Sequence, residues 1–240
     1  LSPPYKTQGK VVHRPWFSPA EYKQLYEATR EYAKNAPPRI QWNAEQVHDY
    51  VLFMANTGLR PDEAKNLQHR DVEIVTDEGT GERILIIEVR GKRGVGYCKS
   101  TTGAVRPYER LLNRAKPVQE KIEDGQPAKP VFPAPMDHVF PGNHIKLFNG
   151  ILNRAALKFD RDNNARTAYS LRHTYICMRL MEGADIYQIA KNCRTSVEMI
   201  EKHYAAHIKN TLDAAAINVR KPKPSQQSQR SGEEKIANQK

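Results

Sequence analysis

Runs with apolar residues three or four positions apart alternate along this chain with shorter polar or Pro-rich stretches. Such spacing puts apolar side chains on one face of a helix. Tyr22, Leu25, Tyr26 and Tyr32 define a first helix, entered through Ser18-Pro19-Ala20-Glu21 and broken between Asn35 and Pro38. Its entry combines a capping box with Pro at the first helical position. A second box, Asn43-Ala44-Glu45-Gln46, opens a strongly amphipathic helix with the stripe Val47, Tyr50, Val51 and Met54, and Gly58 as its C-cap residue. Pro61 starts the next helix, with Asp62 and Glu63 near its positive end.

The period then changes. Residues 83–90, RILIIEVR, are rich in β-branched side chains and read as a strand. Val72 to Val75 pairs with it across the turn Thr76–Gly81, and Gly91 to Gly96 is a glycine-rich hairpin tip. No helix opens after that tip, which excludes a nucleotide-binding glycine loop. Helices are expected over Pro107–Ala115, Lys146–Phe159, Leu171–Met181 (ended by Gly183) and Ile186–Ala190. Residues 117–137 read as an irregular connection, Val139-Phe140-Pro141 as a short extended piece and Asp160–Arg166 as a polar loop. Thr195-Ser196-Val197-Glu198 caps a last helix that carries Tyr204. The fold class is therefore mainly α with a small antiparallel β-sheet, an α+β arrangement.

Charge narrows the function classes. Of 240 residues, 38 are Lys or Arg and 27 are Asp or Glu, a formal net charge of +11. That balance favours a polyanionic partner, nucleic acid or an anionic surface. No apolar run is long enough to span a bilayer and no signal-peptide pattern opens the chain, so no membrane partner is expected. Cys98, Cys177 and Cys193 form no CxxC pair and read as reduced thiols.

Two stretches carry the candidate chemistry. In Thr57-Gly58-Leu59-Arg60-Pro61-Asp62-Glu63, an arginine sits in the tight connection between two helices. In Thr167–His207, the run Ser170-Leu171-Arg172-His173-Thr174 is followed by two helical segments and an exposed-looking tyrosine in Ile200-Glu201-Lys202-His203-Tyr204-Ala205-Ala206-His207. This order of motifs resembles the tyrosine recombinases, the phage integrase family, over roughly residues 16–212. The resemblance implies the tyrosine recombinase catalytic-domain fold. It also implies a site-specific recombinase that cleaves and rejoins DNA through a covalent 3′-phosphotyrosyl intermediate.

The resemblance makes Arg60 and Arg172 a phosphate clamp, since planar guanidiniums match the nonbridging oxygens on which charge builds. Tyr204 takes the place of the nucleophile. Lys92, in the hairpin tip, takes that of the general acid for the expelled sugar oxygen, with Arg93 or Lys99 as alternative cations. Two positions depart from the family pattern. Tyr169 stands where a histidine is usual, and is either a phosphate contact or a packed aromatic. Thr195 stands where a histidine or tryptophan is usual, with Arg194 beside it, and is either catalytic or a helix cap. His203 and His207 flank the nucleophile, and His173 is expected to brace the core. Arg93, Lys99, Arg194, His203 and His207 are the expected DNA contacts. The spacing of His203 and His207 can hold a metal, but no third ligand is evident and none is expected. Guanidinium and ammonium groups supply the positive charge, so no cofactor is expected either.

Residues 1–15 read as a linker from a core-binding domain absent from this chain, 16–212 as the catalytic domain, and 213–240 as a C-terminal segment with a disordered basic tail. The implied partners are double-stranded DNA at attachment sites and further copies of the chain, in a bacterial, nucleoid-associated cytoplasmic setting. Two alternatives stand beside it: a type IB topoisomerase-like relaxing enzyme, which shares the chemistry, and a catalytically weak DNA-binding protein of the recombinase fold.

Overall fold

Proline and capping side chains set most helix starts in the computed structural model, which describes residues 14–91, 94–117, 129–142 and 144–208. Helix α1 (Pro19–Asn35) opens on the expected box: Ser18 Oγ accepts from the Glu21 N–H at 3.3 Å and Glu21 Oε2 accepts from the Ser18 N–H at 2.9 Å. Helix α2 (Pro38–Thr57) begins earlier than the Asn43 box suggests. The Pro37 carbonyl already accepts from the N–H groups of Ile40 and Gln41, and Pro38 lacks the N–H that would need a cap. Glu45 is thereby freed to pair with Arg114 at 3.0 Å.

Helix α3 (Pro61–Asn66) follows a short corner and leads through a 3-10 turn, His69–Asp71, into the sheet. Strands β1 (Val72–Thr76), β2 (Arg83–Gly91) and β3 (Gly94–Lys99) are antiparallel in the order β1-β2-β3. Val72 pairs with Ile87, and Gly91 with Gly94 at the end of the hairpin. Lys92 and Arg93, the expected tip cations, lie outside the described residues.

Helix α4 (Val105–Leu112) starts and ends earlier than expected, with Pro107 inside its first turn, where a missing N–H costs little. Helix α5 (His144–Arg154) stops short of Phe159, because Ala156 turns left-handed at φ 55 and the Leu157 N–H closes onto the Leu152 carbonyl at 2.8 Å. The expected extended piece bonds to the end of α3, Val139 N–H to the Leu67 carbonyl at 2.9 Å. Helix α6 (Ala168–Met181) gains a first turn from a cap the sequence reading missed, Thr167, whose hydroxyl accepts from the Tyr169 N–H at 3.2 Å. After α7 (Ile186–Asn192), α8 (Val197–Ile208) is capped by Ser196, which accepts from the Met199 N–H at 3.2 Å. Thr195 is not the cap.

Two apolar clusters form. The larger surrounds α2 and takes in Phe17 and Leu25, the sheet face Leu85, Ile87 and Val89, Tyr108, Phe148 and the start of α6 at Ala168 and Leu171. The smaller joins the rest of α6 to α7 and α8 through Tyr175, Ile176, Ile189, Cys193, Ile200 and Tyr204. Helix α6 thus belongs to both, and Arg172 and His173 stand at the passage between them. All three cysteines are buried free thiols. Among the described residues no helix is long and apolar enough to cross a membrane. The linker expected over residues 1–15 falls mostly, and the C-terminal segment over 213–240 wholly, outside the described residues.

Gly58 ends α2 in the left-handed region at φ 66, and a Cβ there would meet the Tyr175 ring at 2.5 Å and Cys193 Sγ at 3.0 Å. Gly58→Ala combines backbone strain with overpacking and should cost about 2–4 kcal/mol in urea unfolding. Gly81 has φ 69 but nothing within 4 Å of its Cβ position. Gly81→Ala should therefore show the backbone cost alone, about 1–2 kcal/mol.

Candidate active site

The corner between α2 and α3, the loop between α7 and α8, and the first turns of α6 converge on one pocket. It encloses about 270 Å³ and is lined by Arg14, Arg60, Tyr169, Arg172, Ile176, Thr195, Ser196, Met199, His203 and Tyr204.

Both expected arginines are fixed by backbone carbonyls. Arg172 is 5% exposed, and its Nη1 and Nη2 each donate at 2.5 Å, to the Gly58 and Cys193 carbonyls. Arg60 donates through Nη2 to the Arg194 carbonyl at 2.8 Å and through Nη1 to Glu63 Oε1 at 2.7 Å. Glu63 also accepts from the Arg60 N–H at 2.8 Å and from Arg194 Nη2 at 2.6 Å. One buried carboxylate therefore joins the two loops that hold the guanidiniums. Burial pushes the Glu63 carboxyl up, but the hydrogen bonds from Arg194 and Arg60 and their charges outweigh it, so its pKa falls below the usual 4.5. Arg194 adopts φ 50, which turns its carbonyl toward Arg60 and its side chain toward Glu63.

Tyr204 is buried, at 5% exposed, not exposed as its sequence surroundings suggest. Its hydroxyl is hydrogen-bonded to His173 Nδ1; with the imidazole proton on Nε2, the phenol donates. Burial pushes the phenol well above its ordinary 10.0. Burial, then the charges of Arg14, Arg172 and His203, pushes His173 down to about 3, so the ring is neutral. Tyr169 is 40% exposed and donates to Asp62 Oδ1 at 3.2 Å. Burial and the Asp62 carboxylate raise its pKa.

No protein-family profile matches the chain, and no curated protein does. Solved structures do match. XerA recombinase superposes with a TM-score of 0.55 and 18% identity, over 90% of this chain and 68% of that one. XerH site-specific recombinase, bound to its difH substrate before cleavage, gives 0.55 and 14% over 90% and 58%. The catalytic domain of bacteriophage HP1 integrase gives 0.52 and 16%, over 85% of this chain and 95% of that one. The fold is that of a tyrosine recombinase catalytic domain. This chain spans little more than half of the XerH chain.

Within this recombinase fold the expected site residues divide. Arg60, Tyr169, Arg172, Thr195, His203 and Tyr204 line one pocket. Thr195 contributes there as the residue after Arg194, with its N–H bonded to the Ala190 carbonyl at 2.9 Å. Arg194, expected on DNA, turns its guanidinium inward to Glu63 and the Asn192 carbonyl. Lys99 pairs with Asp77 at 2.7 Å at the end of β3 and is not among the residues that line the pocket. The side chain of His207 and all of Lys92 and Arg93 fall outside the described residues. Three groups were missed in the sequence. Glu63 was seen as a helix-end acid and a member of the Arg60 motif but given no role at the site, His173 only as a core brace, and Arg14 lies in a stretch with no periodicity to single it out.

Glu63→Gln should destabilise the fold by roughly 3 kcal/mol at neutral pH, the cost of breaking a buried pair from one side. The folded pKa of Glu63 is depressed, so its charge stabilises the fold fully above the usual 4.5 and ceases to as pH falls through the folded value. The gap between the unsubstituted protein and Glu63→Gln, read from denaturant midpoints, should be constant above the usual 4.5 and narrow as pH falls from there through the folded value.

Proposed function

We propose that this chain is the catalytic domain of a site-specific DNA recombinase working through a phosphotyrosine intermediate. The observation that carries the reading is one pocket in which two backbone-anchored guanidiniums face a tyrosine hydroxyl. Arg60 and Arg172 bind the nonbridging oxygens of a phosphodiester and stabilise the charge that builds on them. The Tyr204 oxygen attacks phosphorus, the bond to the 5′ oxygen breaks, and the DNA is left joined to Tyr204 through its 3′ phosphate. The phenol proton passes to His173 Nδ1 once the phosphate charge offsets the flanking guanidiniums. Lys92 gives a proton to the leaving 5′ oxygen. Tyr169, with its hydroxyl on Asp62, borders the same phosphate, and Thr195 positions the loop that carries the Arg172 and Arg60 acceptors. Rejoining to another strand reverses these steps, which keep the phosphodiester energy in the covalent link and need no nucleotide.

The net charge of +11 supports duplex DNA as the ligand class, and XerH, which shares the fold, is a site-specific recombinase bound to its difH substrate. Arg93, Lys99, His203 and His207 are the proposed surface contacts, and further copies of the chain are the proposed partners on DNA.

The test is covalent capture on a pool of nicked, sequence-randomised duplexes, read on a denaturing gel. The unsubstituted chain should leave a protein–DNA adduct. Tyr204→Phe should leave none while retaining duplex affinity, since it removes one hydroxyl and keeps the ring in its apolar cluster. Arg172→Lys loses the planar fork and should slow capture by roughly 10²-fold. An adduct from Tyr204→Phe would show that another residue is the nucleophile; retained binding without any adduct from the unsubstituted chain would favour a DNA-binding protein without strand transfer. Nonspecific duplex affinity should also fall by about 10-fold or more between 50 and 200 mM salt, measured by anisotropy, as phosphate contacts release counterions.

A further inference from the structure

The recombinase reading leaves unexplained why an arginine from ahead of α1 lines the pocket. We propose that Arg14 is a third phosphate-binding guanidinium of this site, donating to a nonbridging oxygen of the phosphodiester that Arg60 and Arg172 clamp; the inference rests on that reading.

The placement of Arg14 is built into the fold. Phe17 is fully buried, and its N–H donates to Thr174 Oγ1 on α6 at 2.9 Å. Arg166, only 2% exposed, donates through Nε to the Trp16 carbonyl at 2.9 Å and lies over the Phe17 ring at 4.8 Å. Its other donors go to the Leu157 and Phe159 carbonyls and, at 2.6 Å, to Glu21. Trp16 packs against the smaller apolar cluster, which contains Tyr204. The backbone next to Arg14 is therefore bolted to α6 one residue past His173, and the arginine falls on the pocket wall.

Donor availability points the same way. Arg60 and Arg172 each give both terminal nitrogens to fixed protein acceptors, which orients them but leaves only part of each fork for a ligand. Among the described residues Arg14 makes one long contact, Nη2 to His203 Nε2 at 3.4 Å. Among the described residues no carboxylate pairs with it. An imidazole does not neutralise a guanidinium, so the cation keeps its charge and most of its donors for an anion entering the pocket. Its field already reaches the reacting groups: after burial, the Arg14 charge does most to depress His173, and against burial it favours the ionised form of Tyr204. The phosphorane formed by Tyr204 attack carries more charge on its nonbridging oxygens than the diester does, so a third cation there lowers the barrier. Arg14 exchanges no proton in this step.

The experiment uses a duplex recovered from the capture pool, made with either a phosphodiester or an uncharged methylphosphonate at the scissile position. Arg14→Ala should slow adduct formation by roughly 10²-fold on the phosphodiester, and the deficit should shrink to about 3-fold or less on the methylphosphonate, whose reacting phosphorus carries one negative charge fewer and lacks one of the two nonbridging oxygens. Arg14→Lys keeps the charge and should fall between. If Arg14→Ala fails to fold, the Arg14→Lys deficit on the phosphodiester, lost on the methylphosphonate, carries the same result. Equal deficits on both substrates would assign Arg14 a structural role and overturn the inference, as would rates within twofold of the unsubstituted chain. No adduct from the unsubstituted chain would overturn the recombinase reading itself, and this inference with it.

Discussion

Glu63 sits 6% exposed between the guanidiniums of Arg60 and Arg194, and a carboxylate taken out of water is stable only when charged donors replace its hydration. The two arginines belong to loops far apart in sequence, so this one side chain fixes the separation of the α2–α3 corner from the α7–α8 loop. Everything nearby uses that spacing. The Arg194 carbonyl reaches Arg60 and the Cys193 carbonyl reaches Arg172 because both are exposed by a loop that turns through positive φ at Arg194. Gly58 supplies the remaining acceptor for Arg172, and its missing Cβ lets Tyr175 and Cys193 close over it.

A guanidinium anchored on neutral carbonyls differs from one neutralised by a carboxylate. Arg172 is oriented without being discharged, and Arg60 shares Glu63 with Arg194, so the guanidiniums of Arg14, Arg60, Arg172 and Arg194 outnumber the carboxylates of Glu63 and Asp62 at the site. The net local charge stays positive. Burial first, and then the charges of Arg14, Arg172 and His203, hold His173 neutral although it touches a hydroxyl, and the positive surplus makes the pocket suit an anion better than a neutral ligand. Tyr204 faces this field from within the smaller apolar cluster, where the cost of ionising a buried phenol opposes the pull of the cations.

Much of this was legible from the sequence, for identifiable reasons. Arg60 and Arg172 were singled out through the motif resemblance, and the tight helix–helix corner at Arg60 agreed with it without being decisive by itself. The pairing of β1 with β2 followed from β-branched runs and the turn between them, whereas β3 was not delimited, its first half being read as part of the hairpin tip. Helix starts went astray where a rival device won: Pro37 and Pro38 over the Asn43 box, and Ser196 over Thr195. The burial of Tyr204 was not legible, because its neighbours Lys202 and His203 are polar and the apolar partners, Ile176 and Cys177, come from another helix. Arg194 looked like a surface cation for the same reason, since nothing local reveals that Glu63 lies opposite. Arg14 had no pattern at all; only Arg166 and Thr174, contributed from the far half of the chain, give it a position.

The contacts that make the pocket join residues with separations of 114, 134, 157 and 189 positions. Closing such long loops costs entropy that only the finished packing returns. Local pieces such as the α1–α2 hairpin and the β2–β3 ribbon can form early, whereas the pocket cannot exist until both ends of the domain have been brought to α6. It is therefore a late product of folding, and its high proportion of non-local contacts favours slow assembly. A molecule that has lost its first segment or its last helix would keep most of its secondary structure and none of its complete pocket. Circular dichroism would report such a chain as nearly intact, while anion binding at the pocket would report it as unassembled.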